Sequence, residues 1–146
     1  MGGICIECER AYNRVDSTKR RSQKISANLC FNPDEFRDIY SLLPPGYHAD
    51  HIIPLRAVDA KTGERLVGGL HFIANLNPMP AQDNIAKGAR ISRAVYRREW
   101  KRQAKIILKL RDDVEAFFSL PGAKRRNAHA WKVCQWIFRG ELWRFD

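Results

Sequence analysis

The stretch YHADHIIPLRA, residues 47–57, places two histidines and an aspartate within four consecutive positions, beside two isoleucines and a proline. Tyr47 to Ile53 has the aromatic and β-branched content of a short strand. Ionisable side chains are costly in such a run unless they are paired or used. Side chains alternate along a strand, so His48, Asp50 and Ile52 share one face, with Tyr47, Ala49 and His51 on the other. Asp50 and His51 meet at one point only where that alternation breaks down. Pro54 predicts a strand end just beyond them.

Beyond this stretch, residues 56–69 (RAVDAKTGERLVGG) read as a polar, glycine-bearing loop. Leu70 to Leu76 reads as a second strand. In NPMPAQDNIAKG, Pro80 suits the first turn of a short helix and Gly88 its C-cap, which predicts a helix over 80–87. Asn84 and Lys87, three apart, share a face of that helix. Packing it over the two strands brings Asp50, His51, Asn84 and Lys87 together. A carboxylate and an amide oxygen suit a hard cation such as Mg²⁺. A neutral imidazole suits general-base work, and a lysine suits a phosphate. These are the parts of metal-assisted phosphodiester hydrolysis. Singly, each has a plainer explanation: a structural histidine, a capping asparagine, a surface lysine.

The flanks are helical. Asn32 caps a helix over 32–45, with Pro33 at its first position and Glu35 completing a capping-box pattern. Phe36, Ile39, Tyr40 and Leu43 recur at helical spacing, and Pro44-Pro45-Gly46 ends the helix. Ser92 caps a long helix to about Ser119, with Tyr96, Trp100, Ile107, Leu110, Val114 and Phe118 as its apolar stripe. Arg93, Arg97, Lys101, Lys105 and Lys109 follow another side at steps of four. That row is either a solvated face or a phosphate-binding stripe. Pro121-Gly122 breaks the chain before a last amphipathic helix and tail. Trp131, Trp136 and Trp143 read as core or interface.

The chain has 146 residues, with 26 Lys and Arg against 16 Asp and Glu, a formal charge of +10. That balance favours a polyanionic partner, DNA above all. No apolar run spans a membrane, and MGGICIECER lacks a signal-peptide layout, so the expected location is the cytoplasm. STKRRSQK, residues 17–24, sits in a basic arm over 1–31, either a solvated face or a phosphate contact. Four cysteines are present. Cys5 and Cys8 have the spacing of half a Zn²⁺ site, which Cys30 with a histidine or Cys134 would complete; the alternative is small buried side chains.

DHIIPL (50–55), GLHFIANL (69–76) and DNIAKG (83–88), in that order, resemble the HNH endonucleases, whose core is the ββα-metal motif. The closest flavour is the small phage-type HNH protein, for which the location becomes the host cytoplasm. The Asn75-to-Asn84 spacing also resembles the HNH domain of RNA-guided CRISPR nucleases. The likeness covers residues 50–88. It implies an α+β fold, mostly helical: a ββα-metal core over 47–88 with a two-stranded antiparallel hairpin, flanked by the basic arm, the 32–45 helix and C-terminal helices over 92–146, all one nuclease domain. It implies that His51 is the general base and that Asp50 and Asn84 hold one Mg²⁺ or Mn²⁺. Asn75 would orient His51 or brace the loop between the strands, and Lys87 would contact the phosphate. His48 shares a face with Asp50 and stands as a supporting residue or further ligand; His71 is assigned to structure. The family's last histidine is here Asn84, and the CxxC pair that many members carry after the second strand is replaced by NPMPAQ. One such site cuts one strand, so a double-strand break needs a homodimer or two visits. A non-catalytic DNA-binding module on the same fold, and a toxin or defence nuclease with the same chemistry, are the rival readings.

Overall fold

The structure, a computed structural model, describes residues 26–146 together with Ile6 and Asn13. The Cys5/Cys8 pair and the basic segment 17–24 lie outside the described residues. The fold is α+β, with helices outweighing strands.

Helix α1 spans Pro33–Ser41. Asn32 caps it as its sequence position predicts: the side-chain oxygen accepts the Asp34 N–H at 3.2 Å. Phe36 and Tyr40, one turn apart, are its buried residues. They form a small cluster with Cys30, Leu43, Ala49, Ile73 and Leu76, which seats α1 on one side of the following strand.

Strand β1 is Tyr47–His51. A two-residue strand, β2 (Val58–Asp59), follows, and then β3, Leu76–Pro80. β1 and β3 pair antiparallel, with His51 opposite Leu76, Asp50 opposite Asn77 and His48 opposite Met79. The second strand therefore begins where the sequence reading ends it. Leu70 and Phe72 are buried, as their apolar character demands, but in the main core rather than in a ladder. His71 makes one isolated parallel bridge to Asn28, and Ile73–Asn75 turn as a 3-10 helix. β3 carries two prolines and reads poorly as a strand. It is tolerated because the Ile52 N–H donates to the Asn75 carbonyl, which sets the hydrogen-bonded pairs at Asp50/Asn77 and His48/Met79. Pro78 and Pro80 fall between them, where no N–H toward β1 is needed.

Helix α2 is Ala81–Lys87, within a residue of expectation, and Gly88 closes it at φ 55°. β4, Arg90–Ile91, pairs in parallel with β2. The long loop after β1 is thus tied down. Asp59 accepts the Lys61 and Thr62 N–H groups in a tight turn, and Gly69 N–H donates to the Pro54 carbonyl at 2.8 Å. A Cβ on Gly69 would lie 2.1 Å from the Ile53 oxygen, and one on Gly68 2.1 Å from the Leu55 oxygen. Only glycines let the returning chain approach so closely.

The long helix expected over 92–119 is two helices, α3 (Arg93–Lys109) and α4 (Arg111–Ser119). The Ser92 hydroxyl caps α3 by accepting the Val95 N–H. The chain bends at Leu110, whose φ and ψ are −99° and 18°. The bend turns Val114 and Phe118 into the same core as Tyr96, Trp100 and Ile107, which a straight helix would carry past. The last helix is likewise divided at Asn127 into α5 (Ala123–Arg126) and α6 (Ala128–Phe138). A 3-10 turn, Leu142–Phe145, closes the described chain, and Phe145 stacks on Trp100 at 4.3 Å. Trp131 and Trp136 pack against the core, as expected. Trp143 does not: it is exposed, beside the Arg144 guanidinium.

No helix among the described residues is long and apolar enough to cross a membrane.

Candidate active site and basic groove

The alternation of β1 persists to its last residue, so Asp50 and His51 leave the strand in opposite directions. Their side chains meet different partners. Asp50 faces α2. His51 faces the α1 side, where His71 and Phe36 lie.

On the α2 face, Lys87 Nζ donates to Asp50 Oδ2 at 2.5 Å, to the His51 carbonyl at 2.9 Å and to the Ile52 carbonyl at 3.4 Å. Lys87 thus clamps the end of β1 as well as neutralising Asp50. One turn earlier on the helix, Asn84 Nδ2 donates to His48 Nδ1 at 3.2 Å. His48 and Asp50 stand two apart on the strand, Asn84 and Lys87 three apart on the helix. Those two spacings match across the seam, which is why two pairs form at once. Asp50 is buried, and burial pushes its carboxyl pKa up against the opposing pull of Lys87.

A carboxylate, a side-chain amide and an imidazole from two facing elements form a mixed oxygen and nitrogen donor set. A buried carboxylate needs a positive partner, and here the Lys87 ammonium supplies it. Among the described residues no three His, Cys, Asp or Glu side chains are grouped to hold a metal ion. A cleft of about 280 Å³ opens beside Asp50 and Lys87, lined also by Asn77, Met79, Arg90 and Ser92.

On the other face, His51 Nε2 and His71 Nδ1 lie 3.0 Å apart. His71 is buried, its ring 4.6 Å from that of Phe36. Burial pushes its imidazole down to about 4, so it is neutral in ordinary buffers. Its sequence position suggests a structural role, and its contact with His51 is not legible there. In GLHF nothing distinguishes a histidine aimed at a partner from one that fills space.

Asn75 is fully buried, and its hydrogen bonds run to the backbone and to Gln103. Its Oδ1 accepts the Ile53 N–H at 2.9 Å and the Gln103 side-chain amide at 2.8 Å. Its Nδ2 donates to the carbonyls of Ile53 at 2.9 Å and Leu70 at 2.8 Å. Of its two expected roles, orienting His51 or bracing the loop, the bonds are those of a brace. Gln103, on α3, enters this network without any signal in the local sequence.

The cationic row on α3 is divided. Arg93 is committed to acids: Nε donates to Asp59 at 2.9 Å and a terminal nitrogen to Glu64 at 2.8 Å. It locks the long loop to α3 and does not stand with the phosphate-binding candidates. Arg97, Lys101 and Lys105 are exposed. They line an open groove of about 630 Å³ with Arg98, Arg102, Ala94 and Ile106. A single row at steps of four omits Arg98 and Arg102. The doublets Arg97-Arg98 and Lys101-Arg102 are their signal, since each places a second cation on the adjacent row.

Cys134 is buried among apolar residues of α6, and burial pushes its thiol up to about 12.

No family model, curated protein or solved structure matches the chain.

Proposed function

We propose that the chain is a metal-dependent DNA endonuclease built on a ββα-metal core of the HNH type. The observation that carries this reading is the seam between β1 and α2. It joins Asp50 and His48 to Lys87 and Asn84, more than thirty residues away, at the end of the strand whose last residue is His51, the His51 side chain itself leaving on the opposite face.

In this reading Asp50 and Asn84 hold the cation, with His48 as an adjoining donor. A divalent ion there would stabilise the charge that builds on the phosphate and on the leaving 3′ oxygen. His51, as a neutral imidazole, takes a proton from the attacking water. Lys87 begins as the counter-charge of Asp50, and the phosphate is the second anion within its reach. Asn75 has no part in the chemistry; it holds the Ile53 backbone, and with it the strand end that carries His51. Arg97, Arg98, Lys101, Arg102 and Lys105 give the duplex a cationic track, which makes binding strongly salt-dependent.

The test is supercoiled plasmid with Mg²⁺ or Mn²⁺. Nicking that disappears with EDTA and in His51→Ala supports the proposal; nicking that survives either one refutes it. The Lys87–Asp50 pair also suits a rival, a DNA-binding module whose seam is purely structural. Salt-sensitive binding with no cleavage under any divalent metal would establish the rival.

A further inference from the structure

His51 is half-buried at the end of β1, and its Nε2 lies 3.0 Å from Nδ1 of His71. His71 is held on both sides. Its backbone N–H donates to the Ala27 carbonyl at 2.9 Å, and its carbonyl accepts the Leu29 N–H at 3.0 Å. Its ring lies against Phe36. A side chain so confined presents Nδ1 in one direction.

One proton lies between the facing nitrogens of the two rings, 3.0 Å apart. Either His51 donates from Nε2, or His71 donates from Nδ1. Neutral histidine intrinsically prefers its proton on Nε2. Donation from His51 leaves both rings in that preferred form; donation from His71 forces both into the other. We infer that His71 is a positioning residue that holds His51 in the Nε2–H tautomer, so that the lone pair of His51 is on Nδ1. The inference rests on the reading of His51 as general base and names the nitrogen that accepts the proton. The arrangement is a neutral counterpart of the carboxylate that orients a catalytic histidine elsewhere.

The assignment is read without any cleavage assay, from the ring ¹⁵N shifts of labelled full-length protein. At His51, Nε2 should have the shift of a protonated nitrogen and Nδ1 that of an unprotonated one. A nitrogen–nitrogen coupling should cross the hydrogen bond to His71. His71→Phe should abolish the coupling and let His51 average between tautomers. His71→Asn, whose amide oxygen takes the place of Nδ1, should retain the Nε2–H form even where the phenylalanine variant folds poorly. In the plasmid assay with Mn²⁺, His71→Phe should lose about 10- to 100-fold in kcat with KM little changed, and His71→Asn should recover most of it. A wild-type His51 protonated on Nδ1, or a tautomer indifferent to His71→Phe, overturns the inference. Coupling present in a protein that cuts no DNA with any metal upholds the tautomer assignment and removes the nuclease reading instead.

Discussion

Replacing Asn75 by alanine should be strongly destabilising. The side chain is 0 % exposed and makes four hydrogen bonds of 2.8–2.9 Å. Alanine leaves four partners behind: the Ile53 N–H, the Ile53 and Leu70 carbonyls, and the Gln103 amide. Each buried group left unsatisfied costs about 1–3 kcal/mol. Simple addition gives about 4–12 kcal/mol, an upper range because water can enter the gap and Gln103 can turn. A loss of at least about 4 kcal/mol is the expectation, a large part of the 5–15 kcal/mol that roughly spans domain stability. Urea unfolding followed by tryptophan fluorescence reads it, with the core Trp100 as reporter. Asn75→Asp separates the two ends of the amide. It keeps the acceptor but loses the donor to both carbonyls, so it should be nearly as unstable at pH 7 and partly recover in acid, where a protonated carboxyl donates once. A loss below about 1 kcal/mol for Asn75→Ala would refute the bracing role and return Asn75 to the chemistry.

Lys87→Met leaves Asp50 buried without its counter-charge and should cost about 2–4 kcal/mol at pH 7. The cost should fade toward pH 4 as Asp50 protonates; equal losses at both pH values would count against the pair. His71 has its pKa lowered from 6.5 to about 4, so between those values the unfolded chain binds a proton that the folded chain does not. Stability from this source is complete above pH 6.5 and is lost as pH falls toward 4, about 3 kcal/mol in all. His71→Phe should show a correspondingly shallower decline in urea titrations from pH 7 to 4, and parallel curves would contradict it. Gly69→Ala drives a Cβ to 2.1 Å from the Ile53 carbonyl and should lower stability by more than about 2 kcal/mol in thermal unfolding. Changing Arg97, Lys101 and Lys105 together to glutamine should flatten the log–log salt dependence of duplex binding by about 2–3. An unchanged slope would put the duplex elsewhere.

Local chemistry makes much of this legible. Asn32 and Ser92 announce helix starts because a short polar side chain can meet orphan N–H groups within its own turn. Gly88 marks a helix end because its φ is positive. Two periodicities alone bring Asp50, Asn84 and Lys87 near one another, and the seam has Asn84 and Lys87 in contact with β1 as that spacing requires. The misreadings have one origin. Leu70–Leu76 is apolar because it enters the core, and burial does not say whether a segment is laddered. Leu76–Pro80 is a strand despite two prolines, because register puts them between the bonded positions. The breaks at Leu110 and Asn127 fall where continued helix would carry apolar side chains out of the core.

Helix caps, the hairpin's first strand, the cationic surplus and the candidate ionisable cluster are all written in the chain, because each depends on neighbours within a few positions. Which charges remain available is a matter of packing. Arg93 is spent on Asp59 and Glu64, while Arg97, which also meets Asp146 at 3.7 Å, Lys101 and Lys105 stay exposed in a groove. Packing also makes Asn75 a brace and brings His71 to His51. The bonds from Asn75 to Ile53 and Gln103, and from His71 to His51, join residues twenty or more positions apart, and no local preference carries that far along a chain.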